Sequence, residues 1–265
     1  MAIAIDGHVH IYPAFPMEEF FDAAFANFAE VLQRHGLSPK SDAVIFLTEG
    51  GEHDVFSTLR EQAVLPDDTS PEGLRFLKTE EKDSLVAEKN GRTVYIISGR
   101  QHVSTENIEL LSLFSSERIP DRSLPLADLA EQVRRCGGMV VVPWGVGKWL
   151  GKRGALVTEL IDASSGSTLF LGDNGNRPLF WPAPAQFGRA RKKGIHLLSG
   201  SDPLPLASHC RRVATSGSLL MEAEVSRELP AASLRKILER GEKGKEFGGR
   251  FPPCHFFYDQ IRLKM

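Results

Sequence analysis

Short apolar runs recur along the chain at residues 2–5, 43–47, 94–97, 139–142, 169–171, 197–199 and 219–223. Most are brief, rich in branched side chains and nearly unalternating, the pattern of parallel strands buried on both faces. Between several of them the apolar period lengthens to that of a helix. Phe21, Ala24, Phe25, Phe28, Val31 and Leu32 share one helical face, and Gly36 follows as a C-cap. Similar stretches cover 54–65, 127–136, 155–163 and 231–240. This alternation predicts βα units, and hence an α/β fold with a parallel sheet or barrel. One region departs from the rhythm. Segments 74–78, 84–88 and 93–97 are separated by charged turns, and Asn90-Gly91 is a hairpin signal, so a small antiparallel excursion is expected there. The stretch 240–250 reads as a flexible loop, and the tail 255–265 is apolar enough to dock back.

Length and composition narrow the picture. A chain of 265 residues suits one (β/α) barrel, so a single domain over 1–265 is expected. Hydrophobic residues make up 42% and charged residues 25%, ordinary for a large core. A formal net charge of -2 argues against a dedicated nucleic-acid binder, and no nucleic-acid partner is expected. Cys136, Cys210 and Cys254 lie far apart and are odd in number, which speaks for a reduced compartment without a disulfide framework. No apolar run approaches the ~20 residues that span a bilayer. The first residues lack the basic and long apolar regions of a signal peptide, so a cytoplasmic protein without a membrane partner is the expectation.

In parallel α/β folds functional groups collect beyond the carboxyl ends of the strands. The first run ends in Asp6-Gly7-His8-Val9-His10. Histidines at i and i+2 on an extended strand point the same way and can grip one cation, although they can also just line a polar cleft. After the second run stands Glu49, a further metal candidate, followed by Glu52, His53 and Asp54, where a helix cap with solvated neighbours is the favoured reading. The third run leads to Ser98-Gly99-Arg100-Gln101-His102. Arg100 suits a phosphate or carboxylate through paired hydrogen bonds, or a structural ion pair. The fourth leads to Pro143-Trp144-Gly145-Val146-Gly147-Lys148-Trp149, which lacks the full phosphate-loop motif and reads as a substrate-lining wall or as packing. Beyond the fifth come Asp173 and Arg177, in a segment of turn residues that also reads as a plain loop. After the sixth comes Ser199-Gly200-Ser201-Asp202-Pro203, where proline should hold the chain extended beside a carboxylate placed as ligand or general base. Neither a GxSxG elbow nor a GxGxxG fingerprint is present.

Taken in order, these strand ends resemble the polymerase-and-histidinol-phosphatase (PHP) family of metal-dependent phosphoesterases. His8 and His10 match its opening HxH, Glu49 stands where Thr-Asp-His supplies an Asp, and Gln101 stands near its Gly-x-Glu ligand. Trp144 falls at the His of Ala-His-Pro, and Asp202 matches the Asp of the closing Ser-Asp-x-His. The Glu, the mid-chain His and the last His of the family pattern are missing. The amidohydrolase superfamily is the second resemblance, through Asp-x-His-x-His and Gly-Ser-Asp-Pro, but it needs histidines after central strands that this chain lacks.

The resemblance implies a distorted, TIM-like (β/α) barrel of seven strands with a reduced site of one or two divalent ions, Zn, Mn or Fe. His8, His10, Asp202 and Glu49 would hold metal, and Asp202 and Arg100 would take part in catalysis. Lys148, Arg177, Trp144 and Asp173 would line the place of a small anionic substrate. The expected activity is hydrolysis of a phosphoester, ester or amide by metal-activated water. The alternative is a barrel that has lost its chemistry and binds a ligand or a protein.

Overall fold

The computed structural model describes residues 2–65, 73–242, 244–250 and 252–263. The chain opens as the periodicity predicts. Strand β1 (Ala2–Val9) is followed by helix α1 (Met17–Arg34), and β2 (Asp42–Gly50), parallel to β1, by helix α2 (Val55–Gln62). Helix α1 buries Phe20, Phe21, Ala24, Phe25, Phe28, Val31 and Leu32, and the chain turns beyond it at Gly36, whose φ of +71° suits glycine. Alternate strand residues divide between two faces. Ala2, Ala4 and Ile45 pack with α1, whereas Ile3, Ile5, Val44 and Phe46 belong to a second apolar cluster.

The antiparallel excursion lies where it is expected, as β3 (Arg75–Lys78), β4 (Ser84–Lys89) and β5 (Arg92–Val103). Asn90 and Gly91 at its turn have φ of 52° and 70°, the two positive values that a type I′ hairpin requires. Strand β5 has 12 residues. Its parallel edge meets β2, while its other edge pairs first with β4 and then, from Gly99 onward, with β6 (Glu109–Leu113). After β6 come α3 (Leu126–Arg135), β7 (Met139–Pro143), α4 (Gly151–Ala163), β8 (Phe170–Gly172) and α5 (Ala185–Lys192). A 3-10 turn, Ala207–Arg212, leads to β9 (Ser216–Met221), α6 (Pro230–Glu239), β10 (Lys245–Gly248) and α7 (Pro253–Arg262). Among the described residues no helix is long and apolar enough to cross a membrane.

The sheet path is β10-β9-β1-β2-β5-β6-β7-β8, a curled mixed sheet rather than a closed seven-stranded barrel. Two causes are visible. Residues 104–108 are too short a link for the crossover a parallel partner needs, so β6 returns antiparallel to β5. Strand β9 runs antiparallel to β1, and β10 joins it from within the stretch expected to be a loop. The tail docks through α7, which buries Phe256 and Asp259.

Residues 197–199, expected as a strand, form no named strand, yet the segment they begin places the site. Leu198 and Gly200 donate backbone N–H groups to Leu171 and Asp173 at 2.8 and 3.1 Å. On the other side Gly7 donates to the Ser199 carbonyl at 3.0 Å, and Asp202 to the His8 carbonyl at 2.8 Å. The segment therefore links the end of β8 to β1. A side chain at Gly200 would lie 2.3 Å from the His8 nitrogen, so only glycine permits this approach.

Candidate metal centre

His8 and His10 leave the end of β1 on one side and meet there. Their Nε2 atoms are 2.9 Å apart, and the Asp202 Oδ1 lies 3.5 Å from the first and 3.6 Å from the second. Both histidines are buried, and the carboxylate is mostly so. Burial, reinforced by the neighbouring imidazole of His8, lowers the His10 pKa to about 3, so its ring is neutral and has a lone pair to give. The Gln101 Oε1 also reaches His8 Nε2, at 3.0 Å. Atoms that can offer lone pairs to a cation thus converge on one place.

This donor set fits a metal ion. A triangle with these three edges has a circumradius of ~1.9 Å, so a point slightly above its plane is ~2.0–2.1 Å from every corner, the bond length of zinc to imidazole and carboxylate. Among the described residues this is the one group of three such ligands within 4.8 Å of one another.

Asp202 is held by a frame that residue patterns do not announce. Its φ is +48°, in the left-handed region rather than the extended one expected before proline. The Asn174 amide donates to Oδ2 at 2.8 Å, and the Asn176 amide donates to Oδ2 at 3.1 Å and to the backbone oxygen at 2.7 Å. Both amides therefore take one oxygen and leave Oδ1 to face the histidines. From below, fully buried Asp6 accepts from the Ser201 N–H and hydroxyl at 2.8 and 2.5 Å and from the Ala214 N–H at 2.7 Å. Desolvation still raises its pKa to about 6. Near the same place the Tyr12 hydroxyl is kept protonated by burial and by the charges of Asp202 and Glu109. In the sequence Asn174 and Asn176 read as turn residues, Asp6 appeared only as the opening residue of the Asp-x-His-x-His segment, with no role of its own, and nothing pointed to Tyr12.

The other expected site residues are placed differently. Glu49 is directed at α2, where its carboxylate accepts from the Val55 N–H and from that of Phe56 at 3.1 Å. Asp54 caps the same helix through the Ser57 N–H at 3.2 Å, as the favoured reading had it. Arg100 is buried against the carbonyls of His53 and Ser116 and pairs with Asp54 at 3.3 Å. Lys148 pairs with Glu109 at 2.8 Å. Arg177 grips Asp173 with two bonds of 2.8 and 2.5 Å and also meets the Trp181 carbonyl. Trp144 is buried with its ring edge-on to Trp181, and its carbonyl, not its ring, turns to the site by accepting from Asn174 at 2.7 Å. Each basic residue expected to hold an anion thus already has an acidic partner.

No family model and no curated protein matches the chain. Solved structures do. PsfC from Pseudomonas syringae PB-5123 is similar with a TM-score of 0.58 and 15% identity, over 99% of this chain and 98% of that one. The lesion-specific endonuclease PfuEndoQ from Pyrococcus furiosus is similar with a TM-score of 0.55 and 17% identity, over 94% of this chain and 59% of that one. Endonuclease Q in complex with a 27-mer duplex carrying an abasic lesion at the active site gives 0.53 and 16%, over 94% and 60%. The fold is PHP-like. This chain spans about three-fifths of the endonuclease chains. At these identities the likeness concerns the fold. It still overturns one expectation, because a similar fold meets a 27-mer duplex substrate in Endonuclease Q, so the near-neutral charge of this chain does not exclude a nucleic acid.

Proposed function

We propose that the protein is a metal-dependent phosphoester hydrolase with one divalent ion, Zn, Mn or Fe, held by His8, His10 and Asp202. The observation that carries this reading is the triangle of three donor atoms, two of them buried, with edges of 2.9, 3.5 and 3.6 Å. When bound, such an ion supplies Lewis acidity and lowers the pKa of a coordinated water to ~7. The protein's own residues do the rest. The Asn174 and Asn176 amides fix the Asp202 carboxylate so that Oδ1 serves as ligand. Gln101 offers a neutral oxygen beside His8, where a carboxylate would add a further negative charge. The Tyr12 ring lies beside that of His10, with centroids 5.7 Å apart, and its hydroxyl stays protonated. With Arg100, Lys148 and Arg177 engaged in pairs, the substrate's charge is met chiefly at the metal centre.

The test uses protein purified without a histidine tag and loaded with Zn, Mn or Fe. A phosphomonoester, a phosphodiester and a duplex oligonucleotide with an abasic site are offered in parallel. Hydrolysis of at least one, lost in Asp202→Asn, is expected, and the oligonucleotide arm separates a nuclease from a small-molecule enzyme. A second reading, a metal-holding fold that only binds a ligand or a protein, is favoured by Gln101 and Trp144 standing where the resemblance places ligands. Tight metal uptake with no hydrolysis in any arm would decide for it.

A further inference from the structure

Asp202 depends on Asn176, and Asn176 depends on a charge that comes from the far end of the chain. Arg212, in the turn before β9, donates from Nη1 to the Asn176 Oδ1 at 3.0 Å and from Nη2 to the Gly175 carbonyl at 3.4 Å. An asparagine amide whose oxygen accepts from a guanidinium must present its NH2 on the other side. That side faces the backbone oxygen and Oδ2 of Asp202. Rotated by half a turn, the same amide would set its oxygen against the carboxylate and its NH2 against the arginine. The guanidinium forbids both.

Arg212 is itself held by α7. The Asp259 Oδ2 lies 3.8 Å from Arg212 Nη1 and 3.0 Å from the His209 Nε2. His209 Nδ1 accepts from the Leu204 N–H at 3.0 Å and lies 3.1 Å from Arg212 Nη1. This assigns the proton of a neutral imidazole to Nε2, directed at Asp259. Burial lowers the Arg212 pKa to about 10, and the group stays charged at neutral pH. Asp259 and His209 are buried as well. A buried aspartate of α7, a histidine and an arginine thus form an orienting chain that ends on the carboxylate of the metal centre.

We infer that Arg212 is a positioning residue for that centre, acting through Asn176 on Asp202, with Asp259 of α7 as its anchor. This rests on the metal reading above. Supporting groups of this kind usually change metal affinity ~10–100-fold when lost. Zinc affinity, read by competition with a chelator, should fall by a factor in that range in Arg212→Met and in Asn176→Ala. In the double variant the loss should match that of one single variant, because both remove the same orienting contact. The visible spectrum of cobalt-loaded protein should change in both, reporting a moved carboxylate that a merely structural role would leave in place. If Arg212→Met does not fold, Arg212→Lys keeps the buried charge but not the planar fork, and it should show the same coupling to Asn176→Ala. Zinc affinity in the arginine variants equal to wild type, or losses that multiply in the double variant, would overturn the inference and leave the metal reading intact. A wild-type protein that takes up no zinc overturns the metal reading and this inference with it.

Discussion

Glu49 at the end of β2 and Asp202 in the segment that links β8 to β1 are both carboxylates largely removed from water. Their surroundings assign them opposite work. Both oxygens of Glu49 accept from the first N–H groups of α2, where the unpaired donors and the helix dipole favour negative charge. Of Asp202 only Oδ2 is engaged, by two asparagine amides, and Oδ1 is turned to a pair of imidazoles. The lesson concerns lone pairs. A carboxylate is available as a ligand, the role proposed for Asp202, where local structure leaves one oxygen without a donor, and it acts as a cap where local structure consumes both. The basic residues at the strand ends repeat it, since Arg177 and Lys148 already grip Asp173 and Glu109.

The largest effect that separates the two carboxylates should come from Asp202→Asn. Replacing one oxygen by an amide removes a charged ligand, so zinc affinity should fall by more than the ~100-fold upper range of supporting-group losses. The melting temperature should change little, and titration against a chelator with a parallel thermal scan checks both. Gly200→Ala comes next. A methyl group 2.3 Å from the His8 nitrogen forces the linking segment off β1, at a cost of ~1–3 kcal/mol or more in denaturant unfolding, together with weaker metal binding. Glu49→Ala should cost ~1 kcal/mol as a lost cap, with zinc affinity unchanged. If instead it abolishes metal uptake, the contrast between the two carboxylates is void. The smallest effect belongs to Lys148→Met. A half-exposed pair is worth ~0–1 kcal/mol, and inorganic phosphate binding should stay within about twofold of wild type by calorimetry.

Much of this organisation was legible in residue patterns. The βα opening, the Asn90-Gly91 turn and the paired imidazoles of His8 and His10 all follow from periodicity and spacing, which are local properties, whereas the strand expected to end before Asp202 is not formed. What local pattern could not carry was partnership. An apolar run such as 219–223 looks alike whether its neighbour runs parallel or antiparallel, and β9 turned out antiparallel to β1. Lys245–Gly248 has little apolar character and is a strand only because β9 leaves an edge to pair. Arg100 has the chemistry of an anion clamp, and only its enclosure by His53, Ser116 and Asp54 shows that it is occupied. Asn174 and Asn176 carry a signal shared with every turn, and their aim at Asp202 depends on Trp144 and Arg212, distant in the chain.

The most direct test of the central claim is the metal content of protein purified without a histidine tag, in wild type and in His8→Ala/His10→Ala. Elemental analysis after exposure to zinc and removal of loosely bound ion should give about one ion per wild-type chain and essentially none in the double variant, with the fold retained by circular dichroism. A wild-type protein free of metal, or a double variant that keeps its full complement, would contradict the account.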